Sequence, residues 1–175
     1  IQMAMWVVVP SALVSRGGLP LEHHWSVYLA AVLVSFAVMV PAIVFAERRG
    51  HLKPVYLAAI ALLAVVQLGF ALWANDVWTI GLWLTGFFVA FNILEATQPS
   101  WVSRIAPPER KGAVLGVYNT LQSLGLFCGG WAGGLIAQHL APGAIHWVAA
   151  VLALAWYALS LGLQPPENPR DSHHS

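Results

Sequence analysis

Trp25–Ala46 reads WSVYLAAVLVSFAVMVPAIVFA, 22 residues without one charged side chain. As a helix at about 1.5 Å per residue it is roughly 33 Å long, enough to cross the hydrocarbon core of a bilayer. Its apolar character is continuous rather than alternating, unlike the short alternating strands of a membrane barrel. A second run, Val55–Ala74, has 20 residues and again no charge. Between the two lies ERRGHLKP (Glu47–Pro54), a charged turn containing Gly50. Two uncharged runs of spanning length joined by a tight charged turn predict a helical hairpin through a membrane.

The same pattern extends along the rest of the chain. Val77–Leu94 is uncharged, and its apolar pattern continues past Glu95 to about Ser103. Gly112–Leu140 is a further uncharged stretch of 29 residues, and Ile145–Gly162 follows after Pro142 and Gly143. Ile1–Ser15 is apolar but short, as a span cut within its length would be. The expected architecture is therefore an all-α membrane protein with six transmembrane helices. Residues 1–165 form the bundle, its first helix truncated, and residues 166–175 form a polar tail. Composition agrees: 59% of residues are hydrophobic and 9% charged, against about a quarter charged in soluble domains. The net charge of +1, with no basic face, excludes a nucleic-acid-binding reading. One cysteine, Cys128, excludes an intrachain disulfide and multi-cysteine zinc motifs. The seven histidines are scattered without ligand spacing, so neither a metal nor another cofactor is expected.

Basic residues set the expected orientation. With six spans, Arg48, Arg49, Lys53, Arg104, Arg110, Lys111 and Arg170 fall on one side and only Arg16 on the other. The positive-inside rule then puts the charged turns and the C-terminus in the cytoplasm. Trp25, Trp73, Trp78 and Trp147 sit near the opposite ends, as an aromatic belt would. Val55–Ala74 and Ile145–Gly162 are the least polar spans and are expected to face lipid.

Polar side chains concentrate in the fourth and fifth spans, where they are costly unless they meet protein or a wet cavity. Glu95 is the acidic residue well inside an apolar span. It lies about 12 Å short of the cytoplasmic end of its helix. Asn92, Glu95, Ala96 and Pro99 follow helical spacing on one face. Two roles are open for Glu95: bracing a cytoplasmic gate, or contacting a proton or substrate directly. Pro99 lacks an N–H and can kink the helix beside a gate. Asn119 and Gln122 in the fifth span are the further candidates for the pathway or gate. The same span carries Gly125, Gly129, Gly130, Gly133 and Gly134, whose four-residue spacings suit close helix packing.

The stretch FFVAFNILEATQPSWVSRIAPPERKGAVLGVYNTLQSLGLFCGGWAGG (Phe87–Gly134) resembles the tenth and eleventh helices of the drug–proton antiporter branch of the major facilitator superfamily. FNILEATQPS and KGAVLGVYNTLQSLG carry most of the likeness, which covers nearly the whole chain. The resemblance implies the C-terminal half of a twelve-helix transporter that works by alternating access. It would rock against an N-terminal half of the same chain around a central cavity. It also implies that Glu47–Pro54 corresponds to a cytoplasmic turn whose counterpart in the first half reads G-x-x-x-D-R-x-G-R-[RK]. Arg48 and Gly50 match that motif, while Ile43, Glu47 and His51 replace its glycine, aspartate and second arginine. The implied function is proton-coupled efflux of small organic compounds across a bacterial inner membrane. Its partners would be a small-molecule substrate, protons and lipid. Uptake or facilitated diffusion of a metabolite by the same fold is the alternative, and a non-transporting scaffold or sensor a further one. An enzyme is not expected, because clustered acid, histidine or serine groups at one depth are lacking.

Overall fold

The computed structural model describes residues 1–141 and 143–163. The expected tail, residues 166–175, lies outside them. The described chain is helical throughout: α1 (Gln2–Ser15), α2 (His24–Arg49), α3 (Leu52–Trp73), α4 (Val77–Ile105), α5 (Lys111–His139) and α6 (Ala144–Leu161). Short 3₁₀ turns at Leu21–His23 and Pro108–Arg110 lead into α2 and α5. Four helices, α2, α3, α4 and α6, are long and apolar enough to cross a membrane. α1 is apolar but shorter, and α5 has the length but is diluted by Asn119, Gln122, Gln138 and its glycines.

Local chemistry explains where the helices start and stop. Gly50 ends α2 in the left-handed region, at φ 68°, where a β-carbon would be strained. The His51 N–H donates to the Ala46 carbonyl at 2.8 Å, closing the turn that sends α3 back. Asp76 caps α4: its Oδ1 accepts from the backbone N–H of Trp78 at 2.8 Å and of Thr79 at 3.0 Å. The Thr79 hydroxyl accepts in return from the Asp76 N–H at 3.2 Å, completing a capping box. The Thr79 N–H is the main influence holding the Asp76 carboxyl below its ordinary pKa, with desolvation opposing it and the Trp78 N–H adding to it. Two cations cap helix C-termini on other segments. Lys53 Nζ donates to the Leu161 carbonyl at 2.9 Å, and Arg16 reaches the Ala74 carbonyl at 3.4 Å.

α3 and α4 form the central pair: α3 packs against α4 and α6, α4 also carries α2 and touches α5 and α1, and α1 lies on α5. Ile60, Leu63 and Phe70 of α3 meet Ile80, Leu84 and Phe87 of α4 in one continuous core. Tyr56 stacks on Trp101 at 4.9 Å and meets Trp156 edge-on at 6.2 Å, joining α3, α4 and α6 at one end. α3 is expected to face lipid, and one stripe of it, with Val65 and Leu72, is exposed while its other faces are buried among helices. Low polarity marks burial among helices as readily as exposure to lipid, because both surroundings are apolar. α6 does fit its expected role on one face, where Val151, Leu154 and Leu159 are exposed.

Close packing through glycine occurs on the α3–α4 seam. A β-carbon at Gly69 would overlap the Trp83 ring, and one at Gly86 would sit 2.9 Å from Val66. Along α5 the contacts are looser. Gly133 is buried, and β-carbons added at Gly129 and Gly130 would lie at an ordinary 3.8 Å from Met3 of α1. At Gly125 and Gly134 an added β-carbon meets nothing within 4 Å among the described residues.

Candidate functional site: a polar crevice between α4 and α5

α4 and α5 run antiparallel from a short connection, so moving forward along one matches moving back along the other. Two hydrogen bonds join them in this register. Gln122 Nε2 donates to Glu95 Oε1 at 2.7 Å. Three residues further along α4 and four back along α5, the Tyr118 hydroxyl donates to Gln98 Oε1 at 3.0 Å. These are one-turn steps on each helix, so both bonds lie on the same seam.

The seam borders a crevice of about 360 Å³ into which Glu95, Gln98 and Gln122 open. Its walls are apolar and aromatic, including Phe87 and Phe91 of α4, Leu126 of α5 and Trp156 of α6. Apolar walls with a few convergent polar groups are the general form of a small-molecule site. A larger crevice of about 590 Å³ lies between α2 and α4 near Trp78, but it has no ionisable lining group.

The other candidates are distributed around this centre. Asn92 turns to the opposite neighbour, where its Nδ2 donates to Ser35 Oγ of α2 at 2.8 Å. Ser35 is fully buried and donates in turn to the Val32 carbonyl at 2.7 Å. Positions three apart on a helix differ by about 60° around its axis, enough to divide Asn92 and Glu95 between α2 and α5. Asn119 is exposed on α5 and does not line the crevice. Pro99 lies four residues after Glu95, so the bond that a residue 99 N–H would make to the Glu95 carbonyl is missing. At the end of α2, Glu47 pairs with Arg104 at the end of α4, at 3.1 Å. Arg48 lies in the last turn of α2 and is exposed.

Gln98, one of the polar side chains concentrated in the fourth span, belongs to these contacts together with Tyr118 and Ser35, which were not singled out in the sequence. Antiparallel register offered a signal for the first two. Once Glu95 and Gln122 are paired, the next turn of each helix brings Gln98 to Tyr118. A second buried polar pair lies outside the crevice. His146 of α6 donates from Nδ1 to Gln67 Oε1 of α3 at 3.0 Å and stacks on Phe70 with ring centroids 5.1 Å apart.

A family model described as the Major Facilitator Superfamily matches residues 2–175. The chain belongs to the Major Facilitator Superfamily. Among relatives in this superfamily, it is 34% identical over 166 residues to the inner membrane transport protein YajR of Escherichia coli strain K12. That match covers 94% of this chain and 36% of the relative. An uncharacterised transporter of Buchnera aphidicola from Acyrthosiphon pisum is 30% identical over 112 residues, covering 64% of this chain and 29% of the relative. One from the Baizongia pistaciae strain is 27% identical over 136 residues, covering 77% and 34%. The chain thus spans about a third of the length of the curated relatives it matches. Membership in this superfamily and the apolar helices make it an integral membrane protein.

Proposed function

We propose that the chain forms the C-terminal, six-span half of a twelve-helix secondary transporter that exports small organic compounds in exchange for protons. Superfamily membership and the naming of its relatives as transporters support transport. The seven-to-one division of basic residues supports a cytoplasmic C-terminus. The inner-membrane name of the Escherichia coli relative supports a bacterial inner membrane.

The observation that carries the mechanism is the Glu95–Gln122 hydrogen bond facing an apolar crevice. A carboxylate accepts here from an amide on a neighbouring helix. Protonating it turns an anionic acceptor into a neutral group and weakens a charge-assisted bond. The α4–α5 seam then has two states that differ by one proton. Alternating access needs such an element, one whose equilibrium is biased by the transported ion. Pro99, one turn beyond, leaves α4 easier to bend at this level. Asn92 and Asn119 flank the seam as further polar contacts for a moving pathway.

Glu95→Gln in the full-length protein tests this reading. The substitution keeps the shape and an acceptor but removes the titration. Flux in inverted vesicles is expected to lose its dependence on an imposed pH gradient, with a fall of roughly a hundredfold or more, in the range by which positioned proton-transfer groups contribute. Unchanged gradient-driven flux would remove Glu95 from the coupling mechanism. Equal wild-type flux with the gradient collapsed would instead make the protein a facilitated carrier.

A further inference from the structure

The basic end of α2 sorts its charges by helical position. At about 100° per residue, Arg48 and Arg49 lie within about 60° of Phe45, while Glu47 is turned about 160° away from it. The contacts agree. Glu47 pairs with Arg104 of α4 at 3.1 Å. The Arg49 guanidinium lies instead over the Phe45 ring, 5.1 Å from its centroid, as a cation–π contact. The turn is fastened to the same ring. The His51 imidazole is 6.1 Å from it, and its Nδ1 donates to the Arg49 carbonyl at 2.6 Å. Phe45 is still 49% exposed with these neighbours in place. Lys53 is committed to the Leu161 carbonyl, whereas Arg48 and Arg49 meet no carboxylate among the described residues.

An apolar stripe leads from this cluster into the membrane. Val34, Val38, Pro41 and Phe45 recur at i, i+4, i+7 and i+11, and all four are exposed. From Val34 to Phe45 is about 16 Å along the helix, and one leaflet of hydrocarbon is about 15 Å deep. Phe45 is next to the last residue of the uncharged run, so Arg48 and Arg49 stand at the level of the lipid headgroups.

We propose that this end of α2 is a binding site for an anionic phospholipid, its phosphate held by Arg48 and Arg49 and one acyl chain lying along the stripe from Phe45 to Val34. Guanidinium groups match phosphate oxygens in bidentate geometry. Placing Arg49 on the Phe45 ring beforehand lowers the ordering cost of binding. Local charge sets the headgroup class. A zwitterionic lipid brings an ammonium group that needs an acid, and Glu47 is already engaged by Arg104. The site belongs to the turn alone and does not depend on proton exchange or on the direction of transport.

Native mass spectrometry of the full-length protein in detergent resolves single lipid adducts. The probes are phosphatidylglycerol and phosphatidylethanolamine with matched acyl chains. The wild type is expected to bind the first phosphatidylglycerol roughly twentyfold tighter, the combined effect of two basic residues at an anionic headgroup. Arg48→Gln and Arg49→Gln should each cut that preference about fivefold. Phe45→Leu keeps an apolar contact for the chain but frees the guanidinium, and should cut it about twofold. Arg110→Gln removes the same charge from the α4–α5 connection and should leave the preference unchanged. Phosphatidylethanolamine binding should stay constant throughout, which shows that the variants are folded. Equal affinity for the two lipids in the wild type overturns the proposal. So does an intact preference in either α2 arginine variant or in Phe45→Leu. An equal loss in Arg110→Gln also overturns it, because the attraction would then be diffuse rather than a site.

Discussion

His146 and Gln67 are 3% and 0% exposed, and their hydrogen bond joins α3 to α6. The arrangement is unbalanced. Gln67 Oε1 accepts from the imidazole, while its Nε2 has no partner among the described residues. Removing the imidazole leaves both ends of the amide unpaired. Removing the amide eliminates the orphaned donor together with the acceptor. His146→Leu is therefore expected to destabilise the protein by about 1 kcal/mol, within the range for interhelical hydrogen bonds in membranes. Gln67→Leu should cost less, and the double variant should be more stable than His146→Leu alone. Unfolding midpoints of the full-length protein in detergent would measure this. Simple additivity of the two losses would show that the pair is not coupled. In the sequence, Gln67 was visible as a polar residue in an apolar run and His146 as one of several scattered histidines. Their meeting across 79 positions was not legible, because no local rule fixes which faces of α3 and α6 touch. Glu95 was legible for the opposite reason: a carboxylate inside an apolar helix stands out wherever its partners lie.

At the scale of elements, the α3–α4 seam depends on backbone approach. Gly69 lies where its β-carbon would overlap the Trp83 indole, and Trp73 stacks on that indole with centroids 6.5 Å apart. Gly69→Ala is expected to destabilise the protein by roughly 1–3 kcal/mol, the usual cost of overpacking a filled site. Replacing Trp83 by Leu in the same chain should recover most of that loss. A thermal melt of the detergent-purified variants distinguishes the outcomes, and a neutral Gly69→Ala would mean that the seam is softer than it looks. Sequence spacing drew attention to the glycines of α5, where three four-residue pairs overlap. Gly69 and Gly86 each stand outside any such repeat in their own helix. A spacing rule detects a ridge of small residues but cannot detect one glycine opposed to one large ring. Helix boundaries were easier to read. The turn at Gly50 and the start of α4 after Asp76 follow from residues adjacent in the chain.

At the scale of the whole molecule, much apolar surface is exposed, and it is concentrated on α2, α5 and α6. Leu33, Phe36 and Phe45 on α2 and Leu121, Leu124, Phe127 and Trp131 on α5 are all exposed. Water would penalise such surface by about 25 cal/mol for each Å², so it belongs against lipid or protein. The direction of insertion can be read chemically. In a Cys128→Ser background, His51→Cys lies in the basic turn and Asn75→Cys at the opposite end of α3, both at exposed positions. A membrane-impermeant maleimide should label Asn75→Cys in intact cells and His51→Cys only after permeabilisation. The reverse pattern would invert the proposed topology.

The sequence alone determined the class of this protein, because apolarity, helix length and charge placement are local sums that lipid reads directly. It located the helices to within a few residues and singled out Glu95 and Gln122. It did not determine which helices lie at the centre, how Asn92 and Glu95 divide between two neighbours, or that Tyr118 holds Gln98. Those depend on how each helix is rotated against the others. Rotation is decided by side chains far apart in the chain, such as Gly69 with Trp83 and Gln67 with His146, which meet only once the bundle has formed.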